Sequence, residues 1–135
     1  MSETLEPPVD LRTPYEAMGG EAGLRRLVDA FYDTMDSDPA AARVRAMDPA
    51  DLTPIRARLA DWLSGWTGGP PVFAARHPGR GCIMSAHAPY AIGAEEVDQW
   101  LACMRQALYA VDPPPYWRDI LDQAFVRMCD ALRSH

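Results

Sequence analysis

Residues 85–104 read SAHAPYAIGAEEVDQWLACM and place one of the chain's three histidines, His87, just ahead of a predicted helix. The helix would begin after Gly93, where three carboxylates follow within five residues and are favourable near the positive end of a helix. Apolar residues then recur at steps of three and four, the spacing of a single helical face. The stretch predicts a helix that carries Trp100 on its early turns and raises the question of what the preceding histidine does.

Four stretches of the chain have this helical spacing, and clusters of Gly and Pro separate them. The second is expected to begin with Asp51 or Thr53 as its N-cap, with Pro54 in its first turn. It ends at TGGPP, the third ends at DPPP, and the fourth covers about residues 115–133. In chain order, the apolar positions are Leu24, Leu27, Val28, Phe31 and Met35; Ile55, Leu59, Trp62, Leu63 and Trp66; Val97, Leu101, Met104, Leu108 and Val111; and Trp117, Ile120, Leu121, Phe125, Met128 and Leu132.

An irregular segment, residues 67–93, separates the second and third predicted helices and contains five glycines, four prolines and two of the three histidines. A loop this long inside a compact domain is often functional. The chain of 135 residues has the length of one domain, and no convincing pair of strands occurs in it. The predicted class is all-α, with one irregular segment where a ligand could lie.

Residues 1–13 are acidic and contain proline, without the basic start and apolar stretch of a secretory signal. We expect them to form a loose arm ahead of a domain over residues 14–135. The net charge of −6 argues against nucleic acid or an anionic membrane surface as a partner. No apolar run approaches the length of a membrane span. Three widely spaced cysteines suggest no disulfide framework and fit a reducing cytoplasm.

His87 can be read either as an ordinary hydrogen-bonded histidine or as a metal ligand. Structural zinc is poorly supported, because it requires four ligands and no second candidate stands at a recognised spacing. Haem iron takes four ligands from the porphyrin and can need only one histidine. Tyr32 and Trp100 carry O–H and N–H groups that require partners when buried, so each is either core or a polar group facing a cavity. No G-x-S-x-G or phosphate-loop sequence is present.

Three ordered segments resemble group II truncated haemoglobins, over about residues 15–132. They are YEAMGGEAGLRRLVDAFYDTM, LADWLSGWTGGPPVF and SAHAPYAIGAEEVDQWLACM. The resemblance implies a shortened globin fold, with helices arranged two over two around haem b and His87 as the iron ligand. It implies that Tyr32 and Trp100 lie on the ligand side of the haem. The other expected cofactor contacts are Ile55, Leu59, Leu63, Met47, Phe73, Tyr90, Arg76 and Arg80.

Two positions depart from the usual pattern of this family. Arginine usually precedes the iron-binding histidine, where it pairs with a haem propionate, but this chain has Ala86. Arg76 and Arg80 are the candidates to replace it. The distal position after the first long helix usually holds His, Tyr or Phe. Here either Met47 or Asp48 falls at that position, depending on a one-residue gap.

The resemblance implies reversible binding of dioxygen or another diatomic ligand, with nitric-oxide detoxification or peroxide chemistry as associated activities. Any turnover would need an external electron donor, and either a monomer or a homodimer is expected. A haem-based sensor that signals through a partner is the alternative. A haem-free helical interaction module is a further alternative, against which the presence of His87, Tyr32 and Trp100 argues.

Overall fold

The computed structural model describes residues 12–79, 87 and 92–133, and every regular element within these ranges is helical. This confirms the all-α prediction. The elements are α1 (Pro14–Ala17), α2 (Gly20–Ser37), a 3-10 helix (Pro39–Ala41), α3 (Ala42–Arg45), α4 (Thr53–Trp66), α5 (Phe73–Arg76), α6 (Ala94–Val111) and α7 (Pro115–Leu132). The four long helices are those that the apolar spacing predicts.

Helix α2 begins at Gly20, before the first apolar residue of its periodic face. Gly19 and Gly20 both have positive φ, which an L side chain rarely adopts. Gly23 lies inside the helix because its backbone packs on Met18, and a Cβ there would collide with the Met18 carbonyl oxygen. The glycines of MGGEAG therefore allow a tight entry into α2.

The start of α4 differs from the prediction by one position. Leu52 occupies the N-cap, and the helix begins at Thr53. The Asp51 carboxylate accepts a hydrogen bond of 3.0 Å from the backbone N–H of Thr53, two residues later in the chain. Neither Asp51 nor Thr53 is the N-cap, whereas Pro54 lies in the first turn as predicted.

The short helices carry too few residues for periodicity to reveal them. Helix α1 does have a sequence signal, because Thr13 and Glu16 form a capping box in which each side chain accepts the other's backbone N–H. The fold thus includes Thr13, which the sequence placed in the arm. Residues 1–11 lie outside the described ranges.

Among the long helices, α2 packs most extensively on α6 and next on α4, and α6 also contacts α7. Their shared core is apolar, and its largest fully buried side chains include Phe31, Phe125, Leu63 and Met104. In the part of the chain that the structure describes, no helix combines the length and apolar character needed to cross a membrane. These contacts agree with the two-over-two arrangement that the family resemblance implies.

Candidate functional site

The predicted apolar stripe of α4 is divided between two environments. Leu63 is fully buried in the core, together with Ala60. Ile55 and Leu59 are only half-buried, although both pack against the edge of that core. Because these two lie one turn apart on one face, α4 presents an apolar surface that the helix bundle only partly covers.

Aromatic rings connect this face to the rest of the bundle. Trp62 and Trp66 stack with centroids 5.4 Å apart, and Trp66 packs 4.9 Å from Phe125 on α7. Phe125 in turn lies 5.5 Å from Trp100 on α6. Four large rings from three helices therefore form one continuous contact along the side of the bundle.

Phe31 brings the two predicted polar residues together. Its ring lies 5.0 Å from Trp100 on α6 and 4.8 Å from the ring of Tyr32, its neighbour on α2. Tyr32 is only 5% exposed. Among the described residues, neither the Tyr32 hydroxyl nor the Trp100 indole N–H forms a hydrogen bond. Two donors from different helices are thus held near one ring with their polar groups available.

The Tyr32 hydroxyl stays protonated at all physiological pH values. Burial raises the pKa of Tyr32 well above its usual range, and the negative charge of Asp48 raises it further. The nearby guanidinium groups of Arg58 and Arg56 oppose this shift without cancelling it. A neutral phenol can donate a hydrogen bond, so Tyr32 presents a donor rather than an anion.

Arg56 on α4 covers this tyrosine from outside. Its guanidinium carbon lies 5.8 Å from the centroid of the Tyr32 ring. Arg56 Nη1 donates to Asp29 Oδ1 at 3.0 Å, and Nη2 donates to Asp33 Oδ1 at 2.7 Å. Both aspartates belong to α2, so the arginine ties the two helices together directly over Tyr32.

The two candidates for the distal position, Met47 and Asp48, differ in charge. Only Asp48 can act electrostatically on Tyr32. Met47 is half-buried and packs on the core. Asp48 is also half-buried, and its charge acts on Tyr32. Burial raises the pKa of Asp48 to about 6, although Arg45, His87 and Arg58 each act to lower it.

His87 is half-buried, and it lies near enough to Asp48 to influence that carboxyl, whose charge also acts on Tyr32. Tyr90 and Arg80, two of the expected cofactor contacts, lie outside the described residues, as does Ala86. The described residues contain no cluster of three or more His, Cys, Asp and Glu side chains suited to a metal ion.

Arg76 forms an ion pair with a buried carboxylate. Its Nη1 lies 2.9 Å from Asp61 Oδ1, and His77 Nε2 lies 2.8 Å from the other oxygen of the same group. Burial acts to raise the pKa of Asp61, but these two partners outweigh it and the pKa is lowered. Phe73 is half-buried, with its ring 5.1 Å from that of His77. The cluster fastens α5 to α4.

Comparison with known proteins agrees with this geometry. The family model described as "Bacterial-like globin" matches residues 13–134. The chain belongs to the bacterial-like globin family. It is 37% identical to the group 2 truncated hemoglobin YjbI of Bacillus subtilis over 95 residues, which cover 70% of this chain and 68% of that protein.

Two solved structures are similar to this globin over nearly its whole length. The cold-adapted truncated hemoglobin of the Antarctic bacterium Pseudoalteromonas haloplanktis is 36% identical, with a TM-score of 0.86 over 92% of this chain and 99% of that chain. The truncated oxygen-avid haemoglobin of Bacillus subtilis is 30% identical, with a TM-score of 0.79 over 91% and 100%. Membership of group II is therefore confirmed. The family implies that the chain binds haem and diatomic ligands such as dioxygen.

Arg58 is a site residue that the sequence interpretation missed. It lies three residues after Ile55 and four before Trp62, on the half-buried face of α4. Its charge acts on both Tyr32 and Asp48. Among residues 12–79, 87 and 92–133, no hydrogen bond or ion pair engages its guanidinium. The signal in the sequence was an arginine interrupting an apolar helical face.

The described side chains of this globin fit a haem group. Ile55 and Leu59 supply a partly uncovered apolar surface of the kind that a porphyrin face requires. Arg58 offers a positive group for a carboxylate at the edge of that surface. His87 supplies an imidazole, the common protein ligand to haem iron.

Proposed function

We propose that this globin binds haem b through His87 and reversibly binds dioxygen beside Tyr32 and Trp100. The observation that carries the proposal is the placement of these two donors around Phe31, with no hydrogen-bond partner among the described residues. Each of the two groups can donate a hydrogen bond, and a polar ligand held between them could accept from both.

Several side chains would hold the cofactor. Ile55 and Leu59 would pack on the porphyrin, as would Phe73 and Tyr90 from the segment ahead of α6. Arg58 is our first candidate for a propionate because its guanidinium has no ion-pair partner among the described residues. The remaining expected contacts are Met47, Leu63, Arg76 and Arg80.

The bound haem supplies an iron atom that accepts a diatomic ligand, and the chain determines which ligand is favoured. Of the two ligands, dioxygen would be the better hydrogen-bond acceptor and carbon monoxide the poorer one. The neutral Tyr32 phenol and the Trp100 indole both donate, so they stabilise dioxygen more strongly. The relative from Bacillus subtilis described as oxygen-avid supports this assignment. Nitric-oxide or peroxide turnover would need an external electron donor.

The absorption spectrum of the purified protein tests the proposal. We expect a porphyrin Soret band in the wild type and weak or lost haem retention in His87→Ala. Its melting temperature should also fall, because a bound cofactor stabilises the native state. His77→Ala is the matched control, since that imidazole is engaged by Asp61. Full haem occupancy with an unchanged spectrum in His87→Ala would contradict the assignment.

A further inference from the structure

Arg56 is anchored to α2 at two points, one turn apart. Asp29 and Asp33 are four residues apart and present their carboxylates on the same face of that helix. The guanidinium spans both, and Nη1 also donates to the Asp29 backbone carbonyl at 3.3 Å. The Arg56 side chain is 26% exposed, whereas both aspartate side chains are more than half exposed. The Arg56 side chain is therefore more buried than the two aspartate side chains that bind it.

The ring of Tyr32 lies directly beneath this anchored group. Tyr32 follows Asp29 by three residues and precedes Asp33 by one, so the two anchors flank it on its own helix. The guanidinium lies over the ring at 5.8 Å, and Phe31 contacts the ring at an interplanar angle of 70°. A planar cation over an aromatic face is attracted by the ring's quadrupole. Two contacts therefore define the orientation of the phenol.

We propose that Arg56 is a positioning residue for Tyr32: it restrains the orientation of the phenol and covers the outer face of its ring between α2 and α4. This rests on the donor role of Tyr32 in the proposed function. A hydrogen bond to a bound ligand depends on donor direction and on exclusion of water. Arg56 would slow the release of dioxygen through Tyr32, without touching the ligand itself.

A double-mutant cycle on the haem-loaded globin separates this role from simple helix bridging. Dioxygen and carbon monoxide release rates would be measured by stopped flow for Arg56→Ala, Tyr32→Phe and the pair. We expect Arg56→Ala to raise dioxygen release by about two- to tenfold, with a smaller change for carbon monoxide. In the Tyr32→Phe background the same change should have almost no effect, because the hydroxyl that Arg56 orients is already gone.

Arg105→Ala is the matched control for stability. Arg105 Nε donates to Asp122 Oδ1 at 2.7 Å and ties α6 to α7, far from Tyr32 in the sequence. Arg105→Ala should shift the thermal unfolding midpoint by about as much as Arg56→Ala does, and it should leave the dioxygen release rate unchanged. Arg56→Lys retains the charge but not the planar fork, so its release rate should lie between those of wild type and Arg56→Ala.

An equal effect of Arg56→Ala in both backgrounds, or none in either, overturns the positioning role while the proposed function stands. No effect of Tyr32→Phe on dioxygen release overturns the donor role, and the inference with it. If Arg56→Ala does not fold, Asp29→Asn and Asp33→Asn each remove one anchor and should show a smaller rise that also disappears in Tyr32→Phe.

Discussion

The indole of Trp100 on α6 packs 5.0 Å from the ring of Phe31, the residue directly before Tyr32 on α2. This contact brings the polar groups of two helices to one place, although 68 positions separate Tyr32 from Trp100 in the chain. Phe31 is fully buried, so close packing in the core restricts the movement of its ring. The packing of α2 against α6 therefore determines how close these two polar side chains lie.

Tyr32→Phe and Trp100→Phe should each speed the release of dioxygen. A hydrogen bond in a dry pocket contributes about 0.5–1.5 kcal/mol net, and more with a charged acceptor, so we expect a roughly three- to hundredfold increase. Carbon monoxide release should change less. Stopped-flow rates for both ligands provide the measurement. Equal responses of the two ligands in both variants would mean that these side chains act only as steric walls.

The long helices were predictable because each carries enough turns for its apolar face to repeat. The short helix α5 was not, and α1 was missed although Thr13 and Glu16 have the spacing of a capping box. The choice between Met47 and Asp48 could not be made from the sequence, because a gap of one residue decides it. The bridge from Arg56 to α2 depends on tertiary packing and leaves no local signal in the sequence.

Arg58→Ala should speed haem loss to an apo-globin acceptor by a few-fold. Arg58 is half-buried as a residue on the helix that carries Ile55, and its guanidinium has no ion-pair partner among the described residues, so it is available to a propionate. An exposed pair is worth only about 0–1 kcal/mol, which limits the effect.

Arg76→Ala and Arg80→Ala are the comparison variants for haem loss. Arg76 already pairs with Asp61, so its removal should mainly lower the melting temperature by leaving that buried carboxylate with His77 alone. If Arg76→Ala or Arg80→Ala speeds haem loss more than Arg58→Ala does, that residue is the one that holds the propionate.

Asp48 should make the fold less stable as the pH rises from about 4 to about 7. The pKa of Asp48 is about 6 in the folded protein, whereas the ordinary value of 3.8 applies to the unfolded chain. The folded state therefore binds the proton more tightly. Between these values the folded state holds more protons than the unfolded state, and the free energy of unfolding therefore falls with rising pH. Below about pH 4 both states are protonated and the penalty is absent.

Asp48→Asn removes the ionisable group and should remove this part of the pH dependence. Relative to wild type, we expect the variant to gain about 1–2 kcal/mol between pH 4 and pH 7, allowing for screening at a half-buried site. Urea unfolding across that range measures it. Asp119→Asn, an exposed position on α7, is the control and should track the wild type. A constant difference between Asp48→Asn and wild type at every pH would show that Asp48 titrates alike in the folded and unfolded chains.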